Sequence, residues 1–132
     1  MVNITAFFAS VLAFIYILLT VFVILKRRKL KLALGDADNI EIRYGIRAHG
    51  NFSEYVPFVL LLMLINELNH ISSLLLIIVG SGFVIGRLAH AFSLLYVEPK
   101  HHKFVFRPIG MALTLSSIFV LGFALIVQIF SL

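Results

Sequence analysis

The sequence predicts an all-α integral membrane protein: one bundle of four transmembrane helices. Three observations carry that prediction. Of 132 residues, 61% are hydrophobic, against about 45–50% in a soluble domain, and the mean hydropathy is +1.08. The apolar residues fall into four runs, each long enough to cross about 30 Å of hydrocarbon. Basic residues gather in the first and third links between those runs and are missing from the second. A chain of this length is expected to hold a single domain.

The first span is read as Asn3 to Leu25, closed by Lys26, Arg27, Arg28, Lys29 and Lys31. Such a cluster suits a membrane surface, where anionic lipid attracts cations. No basic stretch precedes the run, so a cleaved signal peptide is not expected. The second span, Asn39 to Leu68, begins before its apolar part. Asp38-Asn39-Ile40-Glu41 reads as a capping box, with Asp38 as N-cap and Glu41 three residues on. Pro57 lies inside this helix, where a kink is expected. Asn66 to His70 reads as a tight helix–helix connection.

The third span runs from Ile71 to Tyr96 and carries Gly80, Gly82 and Gly86. Gly82 and Gly86 form a GxxxG, expected to let helices approach closely within the subunit. The link from Val97 to Arg107 is polar and basic. Pro108 suits the first turn of the fourth helix, which continues to Phe130. By the positive-inside rule both basic links face the cytoplasm and both termini lie on the opposite side.

The net charge is +5. Its placement at span ends points to lipid surfaces and argues against nucleic acid as a partner. There are no cysteines, so the protein offers no disulfide and no thiol of its own. Any thiol chemistry must use a sulfur brought by a substrate.

A polar stripe interrupts the second span. At about 100° per residue, Arg43, Arg47, Asn51, Glu54 and Phe58 share one helical face. A charge at membrane depth costs at least about 2.5–3.5 kcal/mol. The third span adds Arg87 and His90, one turn apart, and the start of the fourth adds Arg107. Arginines, a histidine, an amide and a carboxylate together suit a small ligand bearing carboxylates and an amine. Each also admits a structural role. Arg47 and Glu54 could belong to an ion-pair network with Arg87. His90 could be packed against a carbonyl, and Arg107 could snorkel to lipid phosphates. Arg43 and the Lys26–Lys31 cluster read as surface charges. His101-His102 has too few neighbouring ligands for a metal, since such sites take three or four, and no metal is expected.

The run Arg47-Ala48-His49-Gly50-Asn51-Phe52-Ser53-Glu54-Tyr55-Val56-Pro57 resembles the second-helix signature R-A-x-x-N-x-x-E-x-x-P of the MAPEG family, the membrane-associated proteins in eicosanoid and glutathione metabolism. Gly86-Arg87-Leu88-Ala89-His90-Ala91 resembles the third-helix motif of its prostaglandin E synthase and bacterial branches. Length, span number and the basic links extend the resemblance over the whole chain. It implies a homotrimer in the lipid bilayer, with glutathione held between subunits near the cytoplasmic face. Carried over by position, Arg47, Asn51, Glu54 and Tyr55 would bind glutathione, with Arg87 and His90 flanking it. Arg107 would activate the thiol, with Lys103 or His101 as alternatives for that place. The eicosanoid branches have a tyrosine where this chain has Leu94, with Tyr96 two residues on, so the resemblance is to the bacterial, inner-membrane members.

The resemblance implies a glutathione transferase, with or without peroxidase activity, acting on a hydrophobic electrophile. The choice between enzyme and non-enzyme stays open, because the family also holds a binding protein that presents lipid without catalysis. A small multidrug transporter would share the four spans. It needs a titratable carboxylate in the membrane, and Glu54 is the deep one in this reading.

Overall fold

The computed structural model describes residues 2–101 and 104–130. Helix α1 spans Asn3–Leu30, α2 Ile40–Leu68 and α3 Ser73–Phe92. A π-helical turn, Ser93–Val97, then leads into the short helix α4, Glu98–His101, and α5 covers Phe106–Phe130. Four stretches, Asn3–Leu30, Ile40–Leu68, Ser73–His101 and Phe106–Phe130, are long and apolar enough to cross a membrane.

Two span ends differ from the sequence reading because charge does not stop a helix. Helix α1 continues past Leu25 through the basic cluster to Leu30. Lys and Arg are good helix formers, and Arg27, Arg28 and Lys29 complement the negative end of the helix dipole. Lys31, in the left-handed region at φ 53°, closes it through backbone bonds to Arg27 and Arg28. The third span likewise runs beyond Tyr96 to His101, so much of the polar third link is helical.

The start of α2 corrects the capping assignment. Asn39, not Asp38, is the N-cap: its Oδ1 accepts from the backbone N–H of Glu41 at 3.1 Å and of Ile42 at 3.2 Å. Asp38 has φ 57°, outside the extended geometry an N-cap adopts. It pairs with Arg43 at 2.9 Å, while Asp36 holds the same guanidinium at 2.6 Å. The Arg43 hydrogen bond keeps the Asp36 carboxyl below the usual carboxylate range. The support this gives the loop is present at neutral pH and is lost only when acid protonates Asp36. Glu41 turns outward to Lys26 of α1 rather than back to its own N-terminus.

At the other end of the bundle, Glu67 fills a gap left by α1. Helix α1 has no side-chain cap of its own. The Glu67 carboxylate accepts from the backbone N–H of Ile4 at 2.9 Å and of Thr5 at 2.7 Å. An acceptor with negative charge satisfies the orphan donors and the positive end of the dipole together. Asn66 beside it is fully buried and donates to the Leu121 carbonyl of α5 at 3.1 Å. Helix α2 continues through Pro57.

Packing is closest between α3 and α5, and glycines permit it. A Cβ at Gly110 would lie 2.5 Å from the Gly86 carbonyl oxygen and 2.9 Å from the His90 nitrogen. Those neighbours are backbone atoms and cannot step aside. Gly80 lies directly under the Phe8 ring of α1, whereas Gly82 faces open space. The small-residue face therefore works through Gly80 and Gly86, and the Gly82 half of the GxxxG makes no close approach. Leu12, Phe52, Val59, Met63, Phe83 and Leu121 fill the interior. Phe14, Phe119 and Phe130 point outward, as side chains facing hydrocarbon do.

Gly110→Ala is expected to lower the thermal midpoint in detergent by an overpacking cost on the order of 1–3 kcal/mol. Gly82→Ala should change it by no more than about 0.5 kcal/mol. Equal midpoints for the two variants would contradict this packing.

Candidate functional site

Arg47, Asn51 and Glu54 share a face of α2. With Ile46 and Gly50 they line a polar pocket of about 260 Å³ on the flank of the bundle. Arg47 and Glu54 are exposed and Asn51 is half-buried. Among the described residues neither Arg47 nor Glu54 makes an ion pair. The structural alternative, an ion-pair network of Arg47 and Glu54 with Arg87, is therefore not formed among the described residues. Arg43, on the same stripe, is drawn into the loop by Asp36 and Asp38 and takes no part.

Arg87 is the pivot of the site. It is 1% exposed, the largest fully buried side chain in the bundle. Its Nη2 donates to Asn51 Oδ1 at 2.8 Å, joining α3 to α2. The guanidinium carbon stands 5.7 Å from the centre of the Tyr55 ring, within range of a cation–π contact. Among the described residues, its Nε and Nη1 have no hydrogen-bond partner. Buried polar groups are normally paired, so these two donor atoms leave the buried cation with hydrogen-bonding capacity to spare.

His90 lies one turn further along α3, 3% exposed and packed against Gly110. Arg87 and Arg107 are both close enough to act on its ring electrostatically. Arg107, in the first turn of α5, is held from one side by Glu98: Nη1 stands 3.4 Å from Oε2. Its side chain remains 40% exposed, whereas that of Glu98 is 0% exposed. Glu98 Oε1 also accepts from Ser93 Oγ at 3.0 Å. Arg47, Asn51, Glu54, Tyr55, Arg87, His90 and Arg107 thus form a sequence of neighbours from the α2 pocket, through Arg87, to the end of the third span.

Sequence reasoning passed over Glu98 and Ser93. Glu98 sits in a stretch of lysines and histidines that reads as a solvated link, and Glu54 therefore looked like the single deep carboxylate. The available signal was Pro99. A proline within a helix clashes with the carbonyl four residues back and removes a donor, and the wider π turn before it answers both problems. Of the alternatives to Arg107, His101 is exposed at the end of α4, and Lys103 lies outside the described residues, as does His102. Tyr96 is exposed beside Phe92, with ring centres 5.6 Å apart, rather than turned towards Arg87.

Two further features border the site. His49, within the second-helix motif, meets Thr20 Oγ1 at 3.0 Å and the Tyr16 ring at 4.9 Å. An apolar groove of about 300 Å³ between α1 and α2 is lined by Leu12, Tyr16, Phe52, Val56 and Pro57, among others.

Fold and site together define a small four-span membrane protein whose ionisable side chains converge between its second, third and last helices. The sequence profile of the MAPEG family matches residues 5–127. The inner membrane protein YecN of Escherichia coli K12 is 32% identical over 111 residues, covering 84% of this chain and 81% of that protein. YecN of Escherichia coli O6:H1 matches to the same extent. No solved structure matches the chain. The chain belongs to the MAPEG family, and it is an all-α integral membrane protein with four transmembrane helices.

Proposed function

We propose that this protein is a membrane-embedded glutathione transferase. It converts the thiol of glutathione to thiolate, which attacks a hydrophobic electrophile dissolved in the bilayer. The observation that carries the reading is the buried Arg87 guanidinium with two idle donors beside the Arg47–Asn51–Glu54 pocket. Glutathione fits that donor set. It brings two carboxylates for arginines, an ammonium group for Glu54, and peptide amides for Asn51.

Arg107 would then face the sulfur. A cation within about 4–6 Å lowers an acid's pKa by about 1–3. That brings a thiol of ordinary pKa about 8.5 into the neutral range. The proton leaves to solvent and the thiolate forms the new bond to the electrophile. The electrophile's leaving group departs with its electron pair. With a hydroperoxide as the acceptor, the same thiolate would give peroxidase activity.

Arg47 and Glu54 are exposed on one subunit's flank although they belong to a transmembrane helix. Ionisable groups in a membrane face a protein interior or a wet cavity rather than lipid. Their exposure supports assembly, and a homotrimer would enclose glutathione between neighbouring copies. The likeness to YecN supports a bacterial inner membrane, with the basic first and third links on the cytoplasmic side. The second reading is a non-catalytic ligand-binding protein, favoured by the fact that the α2 pocket and Arg87 form a site without any contribution from Arg107.

Ultraviolet difference absorbance on adding glutathione separates these readings. A thiolate band is expected in wild type and should fall at least tenfold in Arg107→Ala at neutral pH. Binding without a band would favour the non-catalytic reading; neither band nor binding would remove glutathione altogether. Native mass spectrometry of the same preparation should give a trimer. A monomer that still binds glutathione would overturn the shared site.

A further inference from the structure

The strongest unexplained group outside the family motifs is the buried carboxylate of Glu98. It is 0% exposed, and an ionised carboxylate out of water is heavily penalised unless it is paired and hydrogen-bonded. Both of its oxygens are engaged. Oε1 accepts from Ser93 Oγ at 3.0 Å, and Oε2 faces Arg107 Nη1 at 3.4 Å.

The backbone is shaped to put it there. In an α-helix, residues five apart point about 140° away from each other, since each residue turns about 100°. The π turn Ser93–Val97 removes that offset. The Glu98 N–H bonds to the Ser93 carbonyl, so the Glu98 side chain returns over the Ser93 hydroxyl. Turns of this kind recur at functional sites.

The two partners differ in exposure. Glu98 is sealed and Arg107 is 40% exposed. The contact is longer than the roughly 2.7–2.9 Å of a tight charged hydrogen bond, so the guanidinium is tethered along one edge. A guanidinium has five N–H donors, and those away from Glu98 are left for an anion. Without a tether, an arginine at the membrane surface extends towards lipid phosphates.

We propose that Glu98, backed by Ser93, is the positioning residue that holds Arg107 at the thiol of the bound substrate. The proposal rests on the thiol-activation reading. Glu98 does not stabilise the thiolate itself, because its own charge opposes that of the sulfur. It acts through Arg107 alone. Among the described residues, Arg107 also acts electrostatically on the His90 ring, as does Arg87 beyond it; His90 and Arg87 both belong to α3.

The opposing charge gives the test its sign. If Glu98 were only a counter-charge, removing it would leave Arg107 in place and lower the thiol pKa. If it positions Arg107, removing it lets the guanidinium swing away and raises the thiol pKa. The measurement is the pH titration of the glutathione thiolate band in wild type, Glu98→Gln, Arg107→Ala and the double variant, with thermal midpoints as the control for folding.

The expected result is a titration in Glu98→Gln displaced upward by about one pH unit, tenfold less thiolate at fixed pH. No further displacement should occur when Glu98→Gln is added to Arg107→Ala. Glutathione affinity should change less than about threefold. Ser93→Ala, which leaves the ion pair but removes its backing, should give a smaller upward displacement and serves if Glu98→Gln does not fold. An unchanged or downward titration in either folded variant, with the Arg107→Ala loss intact, overturns the positioning role alone. No thiolate band in wild type overturns thiol activation and the positioning role with it.

Discussion

The structure depends on a buried guanidinium. Arg87 reaches from α3 to α2 with, among the described residues, a single side-chain hydrogen bond, to Asn51, and the Tyr55 ring beside it. Removing a cation from water without a full set of partners is among the most costly arrangements a fold can hold. The rest of the bundle is arranged to hold it. Gly86 and Gly110 let α3 and α5 close behind it. Asn66 ties α2 to α5, and Glu67 ties α2 to α1. These bonds tie the opposite half of the bundle, where single acceptors such as Asn66 Oδ1 are left over, while Arg87 is the buried cation with two donor atoms unpaired among the described residues. On the proposed reading, the ligand supplies the acceptors that these two donor atoms lack.

The division of charge follows the same logic. Surface ion pairs such as Lys26–Glu41 and Arg43–Asp36 are exposed and contribute little to stability. They keep basic residues at the ends of helices, where the dipole and lipid head groups favour them. Inside the bundle, by contrast, Glu98 is sealed and matched to Ser93 and Arg107. The interior places its anion against one arginine and leaves the other, Arg87, facing an amide. On the proposed reading, a substrate carrying carboxylates and a thiol would complete both environments.

The helices and the polar stripe were legible because each rests on periodicity or hydropathy, which act locally. Arg47, Asn51 and Glu54 fall on one face at a spacing any helix would give. The convergence with Arg87 was legible only as a matching depth; the hydrogen bond to Asn51 needed the fold. Asp38 and Asn39 compete for the same cap, and the choice was made by backbone geometry at Asp38, which the sequence does not display. Glu98 was the largest omission. Its burial follows from a π turn, and such turns arise from local conflict, here at Pro99, rather than from a repeating pattern. Gly82 failed for a related reason: a small residue permits a close approach, but which glycine is used depends on the facing helix.

The most direct measurement is calorimetric titration of glutathione into the detergent-solubilised wild type and Arg87→Lys. Lysine keeps the charge and loses the planar fork of donors. If the idle donors of Arg87 receive the ligand, wild type binds, and the folded Arg87→Lys variant binds at least tenfold more weakly, about 1.4 kcal/mol. Wild-type affinity in a folded Arg87→Lys variant, or no heat in wild type, would contradict the account.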